Sequence, residues 1–305
     1  DWNDPDGDIF IYYISKETQT PAAEGGGYQY DPVVCSDKYM VYGEKNGNGL
    51  YLYDMGTKET ETIFMQDQED QDCSNTYVVW RERKTDKFLY LYEISDKTTE
   101  KIRDTIKLDT NNEIVSPSTD GNYVVWGEEN FNEKDIYLYE ISTNTTTMIS
   151  DNETFDSWPD ISGNKVIWIQ GEPGSMDIIV YDTVSKTRKA LGLADFGLIS
   201  QPRINGNMIA WTGCRSDKYR VHYSESGFTI TMSCIDFDVY AYNLNREELH
   251  VVETSTDEQR HAEVYGKNIV WHGWDRRKNN KPKIYMKTIQ TTATPIIPQE
   301  MVLSS

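Results

Sequence analysis

The residues from Trp158 to Leu191, WPDISGNKVIWIQGEPGSMDIIVYDTVSKTRKAL, read as four short strands joined by turns. Ser162-Gly163-Asn164 supplies the first turn, because Gly and Asn accept a positive φ at little cost. One antiparallel meander of this kind cannot bury its faces alone and must stack on copies of itself. Copies are present at Asp31–Ile63, Asp70–Ile102, Ser116–Ile149, Gln201–Val252 and His261–Ile297. The second strand ends on an aromatic anchor in each: Tyr42, Trp80, Trp126, Trp168, Trp211 and Trp271. Successive anchors lie 38, 46, 42, 43 and 60 residues apart. Four strands in a period of about 40–45 residues is the pattern of a β-propeller.

The two ends of the chain suggest a further, split unit. Asp8–Ile14 (DIFIYYI) matches Asp135–Ile141 (DIYLYEI), and Trp2 falls 40 residues before Tyr42. Gln299–Ser305 (QEMVLSS) aligns with Tyr30–Ser36 (YDPVVCS) and would supply the inner strand that residues 1–22 lack. The expectation is therefore an all-β, seven-bladed propeller of four-stranded antiparallel blades. Residues 1–305 form one domain, and the C-terminal strand completes the N-terminal blade. Such closure would remove exposed sheet edges. Because the chain begins inside a repeat, the expectation is that residue 1 follows either a removed leader or an artificial boundary.

The repeats P-x-I-S-G-N-x-V-V-W and D-I-Y-L-Y-x-I-x-T resemble the TolB-like propeller repeat. They are similar to the form found in cell-surface propeller proteins of methanogenic archaea. The resemblance covers essentially the whole chain and is best at Pro159–Leu191 and Ser116–Ile149. It implies a surface-exposed propeller with a binding or structural role, and it implies no catalytic residues. The chain departs from the pattern where Gln71-Asp72-Cys73 replaces the Pro-x-Ile start, and in a long insertion in the Gln201–Val252 repeat.

That insertion lies between Cys214 and Cys234 and alternates like a hairpin. A disulfide between them would close it, in an oxidising compartment. Cys35 and Cys73 hold equivalent positions in neighbouring repeats, and two readings stand: a second bridge, or two buried thiols. Neither pair has the spacing of a zinc site. The net charge of −20 argues against a nucleic-acid partner. No 18-residue apolar run is present, so no membrane span is expected.

Candidate binding residues are sought among aromatic and charged residues that do not repeat. In a propeller, the loops after second strands and those entering inner strands share a face. Trp158 and Trp274 fall in those loops and could stack on a sugar ring. Arg260, His261, Asp275, Arg276 and Arg277 fall beside Trp274, and Tyr219 and Arg220, with His222 and Tyr223, lie in the inserted hairpin. Together they would form an aromatic and basic wall for an anionic or sugar-bearing partner. The alternative is that these residues merely pack their own loops. Asp4, Asp6 and Asp8, with Gly7, resemble part of a calcium loop but lack its distant glutamate. A metal-free Asp-Gly turn is the other reading. Apart from possible calcium, no cofactor is expected.

No nucleophile elbow, zinc-helix motif or phosphate loop occurs. The function read from the sequence is a non-catalytic extracellular or cell-surface propeller that binds a surface glycan, a protein or another envelope component. The rival is a carbohydrate-active enzyme, a polysaccharide lyase or glycosidase, using carboxylates near the channel mouth.

Overall fold

Each repeat folds as a meander whose strands are hydrogen-bonded in chain order. The computed structural model describes residues 9–13, 18–23, 29–35, 38–44, 49–66, 68–82, 87–106, 112–129, 134–150, 155–193, 195–223, 230–234, 236–254, 258–274 and 283–290. The inner strands of blades 1 to 6 are Gln29–Val34, Gln68–Cys73, Glu113–Asp120, Asp156–Ser162, Phe196–Asn205 and Glu258–Tyr265. Blades 1 to 5 have four strands. Blade 6 has three among the described residues, ending with Lys283–Thr288.

Seven blades were expected, and the sheets of the described residues form six. Ile9–Tyr13 is a strand, as its match to Asp135–Ile141 implies, but it pairs with Thr18–Ala23 in a separate two-stranded sheet. Its Ile9 packs against Met40, Tyr42 and Tyr53 of blade 1. Alternating apolar residues report a strand with a buried face, not membership of a blade. Trp2 and the supposed closing strand Gln299–Ser305 lie outside the described residues.

The aromatic anchors hold the blades together. Trp80, Trp126, Trp168 and Trp211 are fully buried, with Trp271 and Tyr42 nearly so. Each faces a third-strand residue across its sheet. In five blades that residue is a tyrosine, stacked at 5.5 Å to 5.9 Å between ring centroids. In blade 4 it is Ile179. Trp168 also joins Val125, Ile136 and Leu138 of blade 3 in one cluster, so an anchor fills the gap between blades. On the face of the inner hairpin turns, Gly163, Gly206 and Gly266 each donate an N–H to the preceding blade. The acceptors are Asp120 Oδ2 (2.6 Å), Ser162 Oγ (2.9 Å) and Asn205 Oδ1 (2.9 Å). These glycines sit at φ of 59° to 61°, where a Cβ would be strained.

Both cysteine pairs are bridged. Cys214–Cys234 closes the hairpin Tyr219–Tyr223/Ile230–Cys234, which springs from blade 5. Cys35–Cys73 ties blade 1 to blade 2, which decides between the two readings of that pair.

Candidate functional site in the channel

Every inner strand carries the same irregularity. Its pairing with the second strand slips by one residue, between Tyr30 and Val33 in blade 1 and at equivalent points in the other five. A bulged residue stands at each slip in left-handed backbone: Asp31, Asp70, Ser116, Trp158, Gln201 and His261, with φ between 44° and 56°. None is glycine. A bulky residue such as tryptophan rarely adopts this region, and bulges of this kind re-aim side chains beside functional sites. Trp158 is 43% exposed. Asp31, Asp70 and His261 are exposed as well.

Two residues after each bulge comes a second ring: Val33, Asp72, Ser118, Asp160, Arg203 and Glu263. Five of these six are polar, and they touch across blades. Ser118 Oγ lies 2.7 Å from Asp72 Oδ2 and 2.8 Å from Asp160 Oδ1. Asp72 Oδ2 accepts the Thr119 N–H at 2.9 Å, and Asp160 Oδ2 accepts the Ile204 N–H at 2.7 Å. Arg203 stands between two acids, its Nη1 3.9 Å from Asp160 Oδ1 and its Nε 3.3 Å from Glu263 Oε1. The Arg203 and Glu263 side chains are 41% and 60% exposed. Both stand among ring residues of neighbouring blades, which take away part of their hydration.

This enclosure sets the protonation of the ring. Loss of hydration pushes Asp160 up to about 7, aided by the Asp72 charge and opposed by Arg203. Burial also raises Asp72, and it raises Glu263 against the pull of Arg203. Desolvation works against the Arg203 charge, but Glu263, Asp160 and Asp72 outweigh it and keep the guanidinium protonated. Nearer the mouth, Arg81 bonds Asp70 at 2.8 Å and Glu69 at 3.1 Å. His261 and His272 lie with ring centroids 5.7 Å apart. Both are depressed below the usual imidazole range, His261 by desolvation and then by Arg260 and Arg203, His272 by desolvation and then by His261.

Of the residues singled out from sequence, Trp158 and His261 fall in the bulge ring. Arg260 is exposed and pairs in register with His272. Trp274 ends the second strand of blade 6 opposite Glu258, at the same end of the sheet. Tyr219, Arg220, His222 and Tyr223 lie in the first strand of the blade 5 hairpin. Asp275, Arg276 and Arg277 lie outside the described residues, as do Asp4, Asp6 and Asp8. Among the described residues, no three His, Cys, Asp or Glu side chains are grouped to hold a metal ion. Sequence reasoning missed the inner ring, although a signal existed: it is the variable x of the P-x-I repeat start.

No protein-family model matches the chain, and no curated protein sequence matches it. Solved structures do. An oligogalacturonate lyase from Vibrio parahaemolyticus is 12% identical with a TM-score of 0.63, covering 95% of this chain and 85% of its own. The β-propeller domain of the Trilobed protease from Pyrococcus furiosus is 11% identical with a TM-score of 0.63, covering 96% and 89%. A TolB homologue described from Agrobacterium tumefaciens is 14% identical with a TM-score of 0.54, covering 93% and 98%. At these identities the likeness establishes the fold alone: this chain has the β-propeller fold that these proteins share. Two disulfides fit an exported protein. Among the described residues no helix is long and apolar enough to cross a membrane.

Proposed function

We propose that this is an exported, surface-acting propeller that binds a sugar-bearing ligand at the mouth of its channel without transforming it. The observation that carries this reading is the bulge ring, which places the half-exposed Trp158 beside a polar channel. An exposed indole offers a flat apolar face to a sugar ring, and neighbouring carboxyl, guanidinium and imidazole groups supply directional hydrogen bonds. An oligogalacturonate lyase has the same fold, so a propeller of this kind can act on a saccharide. The surface glycan or envelope protein expected from the sequence would approach from this mouth.

Screening the purified protein on a glycan array, followed by titration of the strongest hit, tests the reading. Trp158→Ala should weaken that binding about tenfold, equivalent to roughly 1.4 kcal/mol for one aromatic contact. Its melting temperature should stay at the parental value. Unchanged affinity in the variant would remove Trp158 from the site and with it the reading.

A second reading has its own observation. A buried carboxyl near 7, such as Asp160, is what acid–base catalysis on a polysaccharide needs. Release of reducing ends or unsaturated sugars from any polysaccharide, abolished by Asp160→Ala, would favour the enzyme.

A further inference from the structure

We propose that Asp72, Ser118 and Asp160 form a proton-holding clasp across blades 2, 3 and 4, which keeps one extra hydrogen at acid pH and releases it to the channel water as pH passes neutrality. The argument begins with counting hydrogens. The Ser118 hydroxyl has one, yet its oxygen stands within hydrogen-bond distance of two carboxyl oxygens, at 2.7 Å and 2.8 Å. It can donate to only one of them. The other contact needs a hydrogen on the carboxyl itself, and without it two oxygen lone pairs would face each other at that distance. Neither acid can swing away cheaply, because the Thr119 and Ile204 N–H groups hold Asp72 Oδ2 and Asp160 Oδ2.

The surrounding charges leave the proton in place. Arg203 of blade 5 is the cation facing the clasp, and at 3.9 Å it makes no close bond to Asp160. Glu263 of blade 6 draws the guanidinium to its other side, at 3.3 Å. The bulge residue His261 has its imidazole pKa lowered by desolvation and then by Arg260 and Arg203, which disfavours a second positive charge beside the clasp. Blade 1 contributes Val33, which carries no charge, and above it Asp31, whose carboxyl burial and Asp70 push upward. With the proton present, the clasp carries one negative charge opposite one arginine. Its release leaves two carboxylates on one hydroxyl, joining three blades.

The sign of the pH dependence follows. The folded chain holds this proton up to about pH 7, whereas a free aspartate gives it up near 3.8. The folded state therefore binds more protons between those values, and stability falls as pH rises through that window and levels off above it. Asp160→Asn should mimic the protonated clasp permanently. Its amide can donate to Ser118 Oγ, Ser118 can then donate to Asp72, and the amide oxygen still accepts from Ile204.

The test compares melting temperatures of the two proteins from pH 5 to pH 8, without ligand, so its outcome is separate from any binding at the mouth. The wild-type protein should lose ~5 °C more than Asp160→Asn over this range, with the variant melting higher at pH 8. Infrared difference spectra of the wild-type protein should show a carboxylic-acid carbonyl band that disappears with a midpoint near pH 7. Equal pH slopes in wild type and Asp160→Asn would overturn the clasp. So would a wild-type spectrum with no carboxylic acid titrating between pH 5 and pH 8, a measurement that stands even if the variant does not fold.

Discussion

Trp126→Ala is expected to cost about 5 kcal/mol of stability, the largest effect of any single substitution argued for this molecule. Two losses combine. The indole is fully buried and stacked on Tyr137 at 5.9 Å, so its removal leaves a cavity between strands that cannot close over it. Its Nε1–H also donates at 3.0 Å to Glu128 Oε1, a carboxyl with no solvent exposure. Arg103, reaching from the outer strand of blade 2, bonds the same oxygen at 2.5 Å and lies over the Tyr137 and Trp126 rings. Alanine would strip the buried acid of one of the two donors on this oxygen, and an underpaired buried charge is costly. Trp126→Phe separates the terms, since it keeps most of the volume and removes only the donor, at a cost of about 2 kcal/mol. Equilibrium denaturation of the three proteins measures both. An alanine variant within 1 kcal/mol of wild type would mean that the anchors do not bear on the seams.

The second large effect is at the bridge between blades 1 and 2. Cys35→Ala with Cys73→Ala opens a loop spanning 38 residues and should cost about 4 kcal/mol on chain-entropy grounds. Opening the hairpin bridge, with its separation of 20, should cost about 3 kcal/mol. Melting the wild-type protein with and without reductant, beside each double variant, tests the ranking. If the Cys35/Cys73 variant melts with the unreduced wild-type protein, the bridge contributes nothing beyond what the seam already supplies.

The sequence revealed the meander and its anchors because packing repeats. Trp80, Trp126, Trp168 and Trp211 fill equivalent gaps, and equivalent gaps demand the same residue. It misled at the N-terminus because Ile9–Tyr13 has the alternation of a blade strand, while its partner Thr18–Ala23 makes a separate sheet. Hydrophobic period specifies which face is buried, not which strand lies alongside. The channel was overlooked for the opposite reason. Positions 33, 72, 118, 160, 203 and 263 hold Val, Asp, Ser, Asp, Arg and Glu. Within a repeat they look like noise, because no two neighbouring blades share a residue type there. Contacts such as Ser118 with Asp72 and Asp160 join residues 46 and 42 positions apart, which no local pattern encodes. Gln71, in the place of the usual proline, looked like degeneration, yet its blade keeps the bulge at Asp70, and its side chain bonds the Asp31 carbonyl.

The six left-handed bulges bear on how such a protein can change. Aspartate, serine, tryptophan, glutamine and histidine all occupy that one backbone shape, so the shape does not depend on the identity of its side chain. Stability resides one layer out, in the anchors and the turn-to-turn hydrogen bonds. The mouth therefore behaves as six sockets wired into a common frame, each able to accept a new side chain while the frame stays as it is. A ligand preference could be rewritten one socket at a time, with the strain of the bulge already met by the folded state whichever residue is fitted.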